Sequence, residues 1–70
     1  MMPLLLARVG EKNKIMAVRG KGETKRFLES MGFVEGAAIT VVSEFAGNLI
    51  VNVKDARVAL SKAMAGKIMI

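Results

Sequence analysis

The chain has 70 residues, of which 53% are apolar, and it carries a net charge of +5 without cysteine or histidine. This composition excludes a disordered chain and disulfide bonds, and charges or glycines interrupt every apolar run before the roughly 20 residues that a membrane span needs. We therefore expect a single domain over residues 1–70, stabilised by its apolar core. Because no export signal is recognisable, we expect the protein to be cytoplasmic.

The first third of the chain predicts two short strands. Residues 4–8 predict the first, with Pro3 at its start, where a missing N–H group does no harm to a ladder. Residues 10–13 then predict a turn. Residues 14–19 predict the second strand, but both of its alternating sets of side chains are apolar, so its inward face or a bulge within it stays open.

A helix is predicted over residues 23–31. Phe27, Leu28 and Met31 have the spacing of one helical face, while the charged residues of this stretch fall elsewhere. Gly32 follows at the position where a left-handed cap residue is least costly for glycine.

The second half of the chain predicts consecutive hairpins. Apolar and polar side chains alternate along residues 39–45 and 49–53, which is typical of half-buried strands. The predicted inward-facing residues are Ile39, Val41, Phe45, Leu49, Val51, Val53, Val58 and Leu60. Ser61 is predicted to cap a single helical turn over residues 62–65, and residues 68–70 predict a last strand.

These elements predict a mainly β fold, a small SH3-like barrel of five to six short strands with one short α-helix and one C-terminal helical turn. Closing the strands into a barrel removes exposed edges that would otherwise aggregate. Side chains would fill the interior of so small a barrel, so no deep pocket for a metabolite is expected.

The sequence offers no catalytic residues. An activated nucleophile needs an adjacent base, and a chain without histidine, cysteine or tyrosine leaves only pairs such as Ser61 and Lys62. We interpret Ser61 as a helix cap and Lys62 as a solvent-facing charge. The sequence thus predicts a protein that is not an enzyme.

No cofactor and no metal site are predicted, because borderline metals prefer imidazole or thiolate ligands. Only single carboxylates remain, and a weak site built from two of them stays open. These are Glu11, Glu23, Glu29, Glu35, Glu44 and Asp55. Four methionines lie in apolar patterns and are interpreted as core residues: Met16, Met31, Met64 and Met69.

Three cations flank the start of the predicted helix. Lys21 lies between two glycines, and Lys25 and Arg26 follow in the first turns. We predict that these three residues bind an acidic partner surface or a phosphate, helped by the exposed N–H groups of the helix. The competing interpretation of residues 20–22 is a plain turn.

One stretch resembles the signature of the FeoA family of ferrous iron transport proteins. Residues 26–41, RFLESMGFVEGAAITV, contain its basic residue, apolar pair, Met-Gly-Phe triplet, later glycine and alternating β-branched residues. Residues 9–11 and 15–20 resemble the first hairpin of the family, and residues 58–70 resemble its closing turn and strand. A departure is Phe27, where leucine is commoner. The resemblance implies an SH3-like barrel, and it identifies architecture better than activity.

The resemblance also implies a partner, the cytoplasmic region of the FeoB-type membrane GTPase that transports ferrous iron. The chain would contact the membrane only through that transporter, and a weak homo-oligomer stays open. The alternative is a small basic nucleic-acid-binding barrel, which needs exposed aromatic rings for stacking. Because Phe27, Phe33 and Phe45 lie in apolar patterns and are predicted to be buried, we expect no nucleic-acid partner.

Overall fold

The computed structural model describes all 70 residues as a mainly β fold with two short α-helices. Its elements are a 3₁₀ turn (Leu4–Leu6), β1 (Lys12–Lys14), β2 (Ala17–Val18), α1 (Glu23–Ser30), β3 (Ala38–Phe45), β4 (Asn48–Val53), β5 (Ala56–Ser61), α2 (Lys62–Ala65) and β6 (Ile68–Met69). The predicted fold class, with one short helix and a C-terminal helical turn, is confirmed. Neither helix has the length and apolarity that crossing a membrane requires.

The strands form two antiparallel sheets. The larger has the order β1-β3-β4-β5, and the smaller pairs β2 with β6, to which Pro3 adds a bridge at Met69. Two-residue turns join β3 to β4 and β4 to β5, as Phe45 pairs with Asn48 and Val53 with Ala56. The predicted consecutive hairpins are therefore confirmed.

One apolar core connects both sheets and both helices. Of the 70 residues, 14 are buried, and none of these is polar or charged. The core cluster consists of Leu4, Ile15, Leu28, Phe33, Ile39, Val41, Leu49, Val51, Val53, Leu60, Ala65 and Ile68. The alternation predicted along β3, β4 and β5 is confirmed for the six core residues in these strands, which are Ile39, Val41, Leu49, Val51, Val53 and Leu60.

The end of α1 fixes the largest core side chain. Gly32 follows the helix with φ of +97°, and its N–H donates to the carbonyl oxygen of Glu29 (3.0 Å) while the N–H of Phe33 donates to that of Leu28 (3.1 Å). This pair of bonds is a Schellman motif, which commonly brings the residue after the glycine, here Phe33, against the residue four before the glycine, here Leu28. Leu28 and Phe33 are both fully buried, so the predicted cap directs Phe33 into the core.

The strand predicted over residues 4–8 is wrong. The N–H of Leu6 donates to the carbonyl oxygen of Pro3 (3.0 Å) and that of Ala7 to Leu4 (2.9 Å), which closes a 3₁₀ turn. Only Leu4 is buried, while Leu5 and Leu6 are exposed. Three successive leucines contain no polar alternation that would specify a strand, and the tight turn satisfies local backbone groups instead. The turn predicted over residues 10–13 is also misplaced, since β1 begins at Lys12.

Residues 14–19 do not form one strand, because the chain passes from one sheet to the other here. The N–H of Ile15 donates to Ala37 O (2.8 Å), next to the larger sheet, whereas that of Met16 donates to Met69 O (2.7 Å) in the smaller one. Ile15 is fully buried and Met16 is 52% exposed. The open question of the inward face is thus resolved by a break in the strand, and the interpretation of Met16 as a core residue is wrong. Met69 is buried, in agreement with its prediction.

A bulge in β3 turns Phe45 outwards. Val41 pairs with Val51, but Ser43 pairs with Ile50, so Val42 is an extra residue in the ladder. Since residues directly opposite each other share a face, the bulge moves Phe45 away from the face of Val41, and its ring is 74% exposed. The prediction that Phe45 faces inwards is therefore wrong.

Phe27 is also exposed, by 51%. The two turns of α1 present only a narrow face to the core: Leu28 is fully buried there, and Met31, the residue after the helix, packs against the core in part. The predicted apolar face of the helix is confirmed for these two residues and is wrong for Phe27.

Two phenylalanine substitutions test this core. We expect Phe33→Ala to lower the free energy of unfolding by about 3–5 kcal/mol, because it leaves a cavity in a fold whose total stability is roughly 4–10 kcal/mol. Phe45→Ala should change it by less than about 0.5 kcal/mol, since the ring is exposed. Urea unfolding followed by circular dichroism measures both, and equal losses would contradict this placement of the rings.

Candidate functional site

The three cations predicted to bind a partner all lie on the surface at the start of α1. Lys21, Lys25 and Arg26 are exposed, and the loop that carries Lys21 is fixed by two glycines with positive φ, Gly20 at +122° and Gly22 at +52°. The ψ of Gly22 is −115°, a conformation that a residue with a Cβ atom avoids. The loop therefore depends on glycine to turn into the helix.

Two further cations lie beside this loop. The N–H of Arg19 donates to Lys67 O (2.6 Å), and the Lys67 Cδ lies 3.6 Å from the position that a Cβ atom on Gly20 would take. Pairing of β2 with β6 thus brings Lys67 to a loop far away in the sequence. We call the five cations Arg19, Lys21, Lys25, Arg26 and Lys67 the basic surface.

The sequence prediction of this surface missed Lys67. Lys67 lies between α2 and β6 in the sequence. Only the antiparallel pairing of β6 with β2 brings it close to the loop before α1. The sequence does indicate a short apolar strand after Gly66, but a single sequence does not specify which strand pairs with it.

In the basic surface, side-chain charges are more available to a ligand than the backbone N–H groups at the start of α1. The first-turn N–H of Thr24 already donates to Lys21 O (3.2 Å), and that of Arg26 donates to Gly22 O (3.1 Å). Glu23 adds a negative charge in the same turn. The ammonium and guanidinium groups are therefore the groups suited to an acidic partner, and Phe27 provides an exposed ring next to Arg26.

The Ser61 hydroxyl, which the sequence offers as a candidate nucleophile, instead caps a helix. Ser61 Oγ accepts a hydrogen bond from the N–H of Met64 (3.2 Å), which confirms the predicted cap of α2. Lys62 Nζ lies 2.8 Å from Glu44 Oε1 in an exposed ion pair, so that lysine is engaged with a carboxylate. The bulge in β3 explains this contact, because it places Glu44 opposite Leu49, the residue that pairs with Leu60 next to α2.

No three acidic side chains come together as metal ligands. The one cleft is shallow, has a volume of about 370 Å³ and lies at the β4–β5 hairpin. It is lined by Asn52, Lys54, Asp55, Ala56 and Arg57.

The fold and its surface define a small β protein of the SH3-like class that presents charged surfaces around a wholly apolar core. The protein-family model of the FeoA domain matches residues 2–70. The chain therefore belongs to the FeoA family, as the sequence signature indicated. No curated protein matched the sequence.

One solved structure agrees with this assignment, and others share the fold. The crystal structure of an iron uptake regulatory protein, FeoA, is 33% identical, with a TM-score of 0.85 over 96% of this chain and 89% of the other. FeoA of Stenotrophomonas maltophilia, a prokaryotic SH3 domain protein complexed with zinc, is 23% identical with a TM-score of 0.86 over 99% and 88% of the two chains. A manganese-dependent transcriptional repressor is 25% identical with a TM-score of 0.84, but only 38% of its chain is covered.

The loop geometry predicts opposite effects of alanine at two glycines. Gly22→Ala should destabilise the fold by about 1–3 kcal/mol, because φ of +52° with ψ of −115° is a strained conformation for alanine. Gly66→Ala should be neutral or stabilising by up to about 1 kcal/mol, because Gly66 has an ordinary helical backbone with φ of −67°. Thermal unfolding of both variants measures the difference, and a tolerated Gly22→Ala would contradict the loop structure.

Proposed function

We propose that the chain is a non-enzymatic accessory protein of ferrous iron uptake that binds the cytoplasmic region of the FeoB-type membrane GTPase. The observation that carries this proposal is the match of the FeoA domain to residues 2–70. Structures similar to this chain are described as an iron uptake regulatory protein and as iron(II) transport protein A of Clostridium thermocellum. In this proposal the chain acts in the cytoplasm and reaches the membrane only through the transporter.

The basic surface is the proposed contact with the transporter. Lys21, Lys25 and Arg26 are exposed side chains on a glycine-bounded loop and the first turns of α1, and Lys67, just before β6, extends the surface. Exposed charges of this kind accelerate and orient the encounter with an acidic patch, and salt weakens their contribution. The proposed interaction is therefore one that depends on ionic strength.

A second candidate function is nucleic-acid binding, which the structure favours more than the sequence did. The sequence predicts that all three phenylalanines are buried, yet Phe27 and Phe45 are exposed. Stacking on bases, however, needs rings within a cationic groove. The one cleft of the structure, at the β4–β5 hairpin, contains neither ring. The rings therefore lack the cationic groove that stacking needs, and protein binding remains the proposal.

Replacing the three predicted contact cations tests the transporter interface. We expect the variant Lys21→Gln, Lys25→Gln, Arg26→Gln to bind the transporter's cytoplasmic domain roughly ten-fold more weakly, since three exposed ion pairs contribute about 0.2–1 kcal/mol each. Titration of the labelled protein followed by NMR, with and without guanine nucleotide, measures the dissociation constant.

The matched control removes three exposed cations elsewhere: Arg8→Gln, Lys12→Gln and Lys14→Gln make the same change in net charge. This control should retain the affinity within about a factor of two. If net charge alone governed binding, both variants would bind equally weakly. Unchanged affinity of the first variant would refute the basic surface as the contact. Failure of the unsubstituted chain to bind would refute the transporter as the partner.

A salt series distinguishes the two candidate functions. We expect no saturable binding to single-stranded or duplex DNA at physiological ionic strength, because the one cleft of the structure contains neither exposed ring. Fluorescence anisotropy with labelled oligonucleotides at low and moderate salt checks this. Binding whose affinity falls steeply with salt, and which Phe27→Ala weakens, would instead support nucleic-acid binding.

A further inference from the structure

The last strand of the larger sheet has one open edge. The order β1-β3-β4-β5 leaves β5 paired only with β4, over all six of its residues from Ala56 to Ser61. The smaller sheet does not continue it. An unpaired edge presents a row of free N–H and C=O groups to which another strand can add.

The hairpin geometry identifies which backbone groups are free. The turn of residues 54–55 is closed by Val53 and Ala56, which form a hydrogen-bonded pair in a two-residue hairpin. Because hydrogen-bonded and non-hydrogen-bonded pairs alternate along an antiparallel ladder, Arg57 and Ala59 direct their N–H and C=O groups away from β4. Both residues are exposed, and no other backbone hydrogen bond involves them.

The opposite edge of the same sheet is protected in a way that β5 is not. β1 has only three residues, and Lys12 and Lys14 are two of them. Short length and lysines are common protections of edge strands. β5 is twice as long and has a single charged residue, Arg57. The two edges thus differ in their capacity to accept a further strand.

Charge indicates which strand would fit. The Arg57 Nε donates to Asn52 Oδ1 (3.1 Å), which holds the guanidinium over the cleft of about 370 Å³. Lys54 and Asp55 also line this cleft, so its cations outnumber its one carboxylate. The terminal N–H groups of Arg57 are left for a carboxylate, which matches their geometry. A second copy of the chain would bring another net charge of +5 to this edge, so charge favours an acidic partner over self-association.

We propose that the outer edge of β5 binds an extended acidic segment of a partner protein as an added strand. The backbone of the segment pairs with Arg57 and Ala59, and one of its carboxylates binds in the cleft to Arg57 and Lys54. This edge shares no residue with the basic surface, and the inference does not depend on the transporter being the partner.

The probe is a blocked peptide of about eight residues that alternates valine or threonine with glutamate; its counterpart carries lysine in place of glutamate. In NMR titrations of the full chain, the glutamate peptide should give saturable shifts at Arg57 and Ala59 and slow the hydrogen exchange of their amides. The lysine peptide should give neither. Shifts confined to the basic surface, or equal responses to both peptides, would overturn the proposal.

Two variants separate backbone pairing from charge. Ala59→Pro removes one outward N–H group, a change that edge strands tolerate, and it should abolish the amide protection at Arg57. Arg57→Glu should weaken the glutamate peptide at least five-fold, whereas Lys12→Glu, the same charge change on β1, should leave its affinity within two-fold. If Ala59→Pro does not fold, the comparison of Arg57→Glu with Lys12→Glu still tests the proposal. Equal losses of peptide affinity in these two variants would contradict it.

Self-association is the remaining alternative. Sedimentation should show a monomer whose Arg57 and Ala59 amides exchange rapidly without peptide. A dimer in which these amides are already protected would mean that β5 pairs with a second copy, and it would overturn the proposal.

Discussion

The burial of one small apolar cluster is the constraint on which the rest of the structure depends. A chain of 70 residues without cysteine has no disulfide to restrain it, and a fold of this size hides only about 60% of the surface that its unfolded chain exposes. The same core therefore draws on the 3₁₀ turn, both helices and strands β3 to β6, from Leu4 near the start of the chain to Ile68 in the last strand. Phe33 is the largest member, and the glycine that ends α1 directs its ring inwards.

This constraint explains why the candidate functional groups are all on the surface. A core without a polar side chain contributes packing and no chemistry, so binding is left to what the core positions outside. It holds α1 and the β2–β6 pair together, which creates the basic surface from residues of two distant stretches. It also ends the larger sheet at β5, where backbone groups are left unpaired. The two proposed recognition modes, one by charge and one by backbone pairing, thus rest on the same packing.

Local patterns predicted much of the fold, and non-local pairing accounts for the errors. Alternation identified Leu49, Val51 and Val53 as inward-facing because β4 is regular, and Gly32 was recognisable because a left-handed cap favours glycine. Phe45 was misplaced because the bulge at Val42 leaves no mark in the apolar pattern. The cations before α1 were visible in the sequence, but the contact of Lys67 with their loop depends on the pairing of β2 with β6.

Native-state hydrogen exchange tests most directly whether one core holds all segments together. The N–H groups of Ile15, Phe33 and Val51 belong to the crossing between sheets, the end of α1 and the centre of β4. If they depend on one cluster, they open together, and their exchange gives the same free energy and the same denaturant dependence as global unfolding. Exchange of Ile15 or Phe33 through an opening several kcal/mol below that of Val51 would show that the segments fold separately, which would contradict a single shared core.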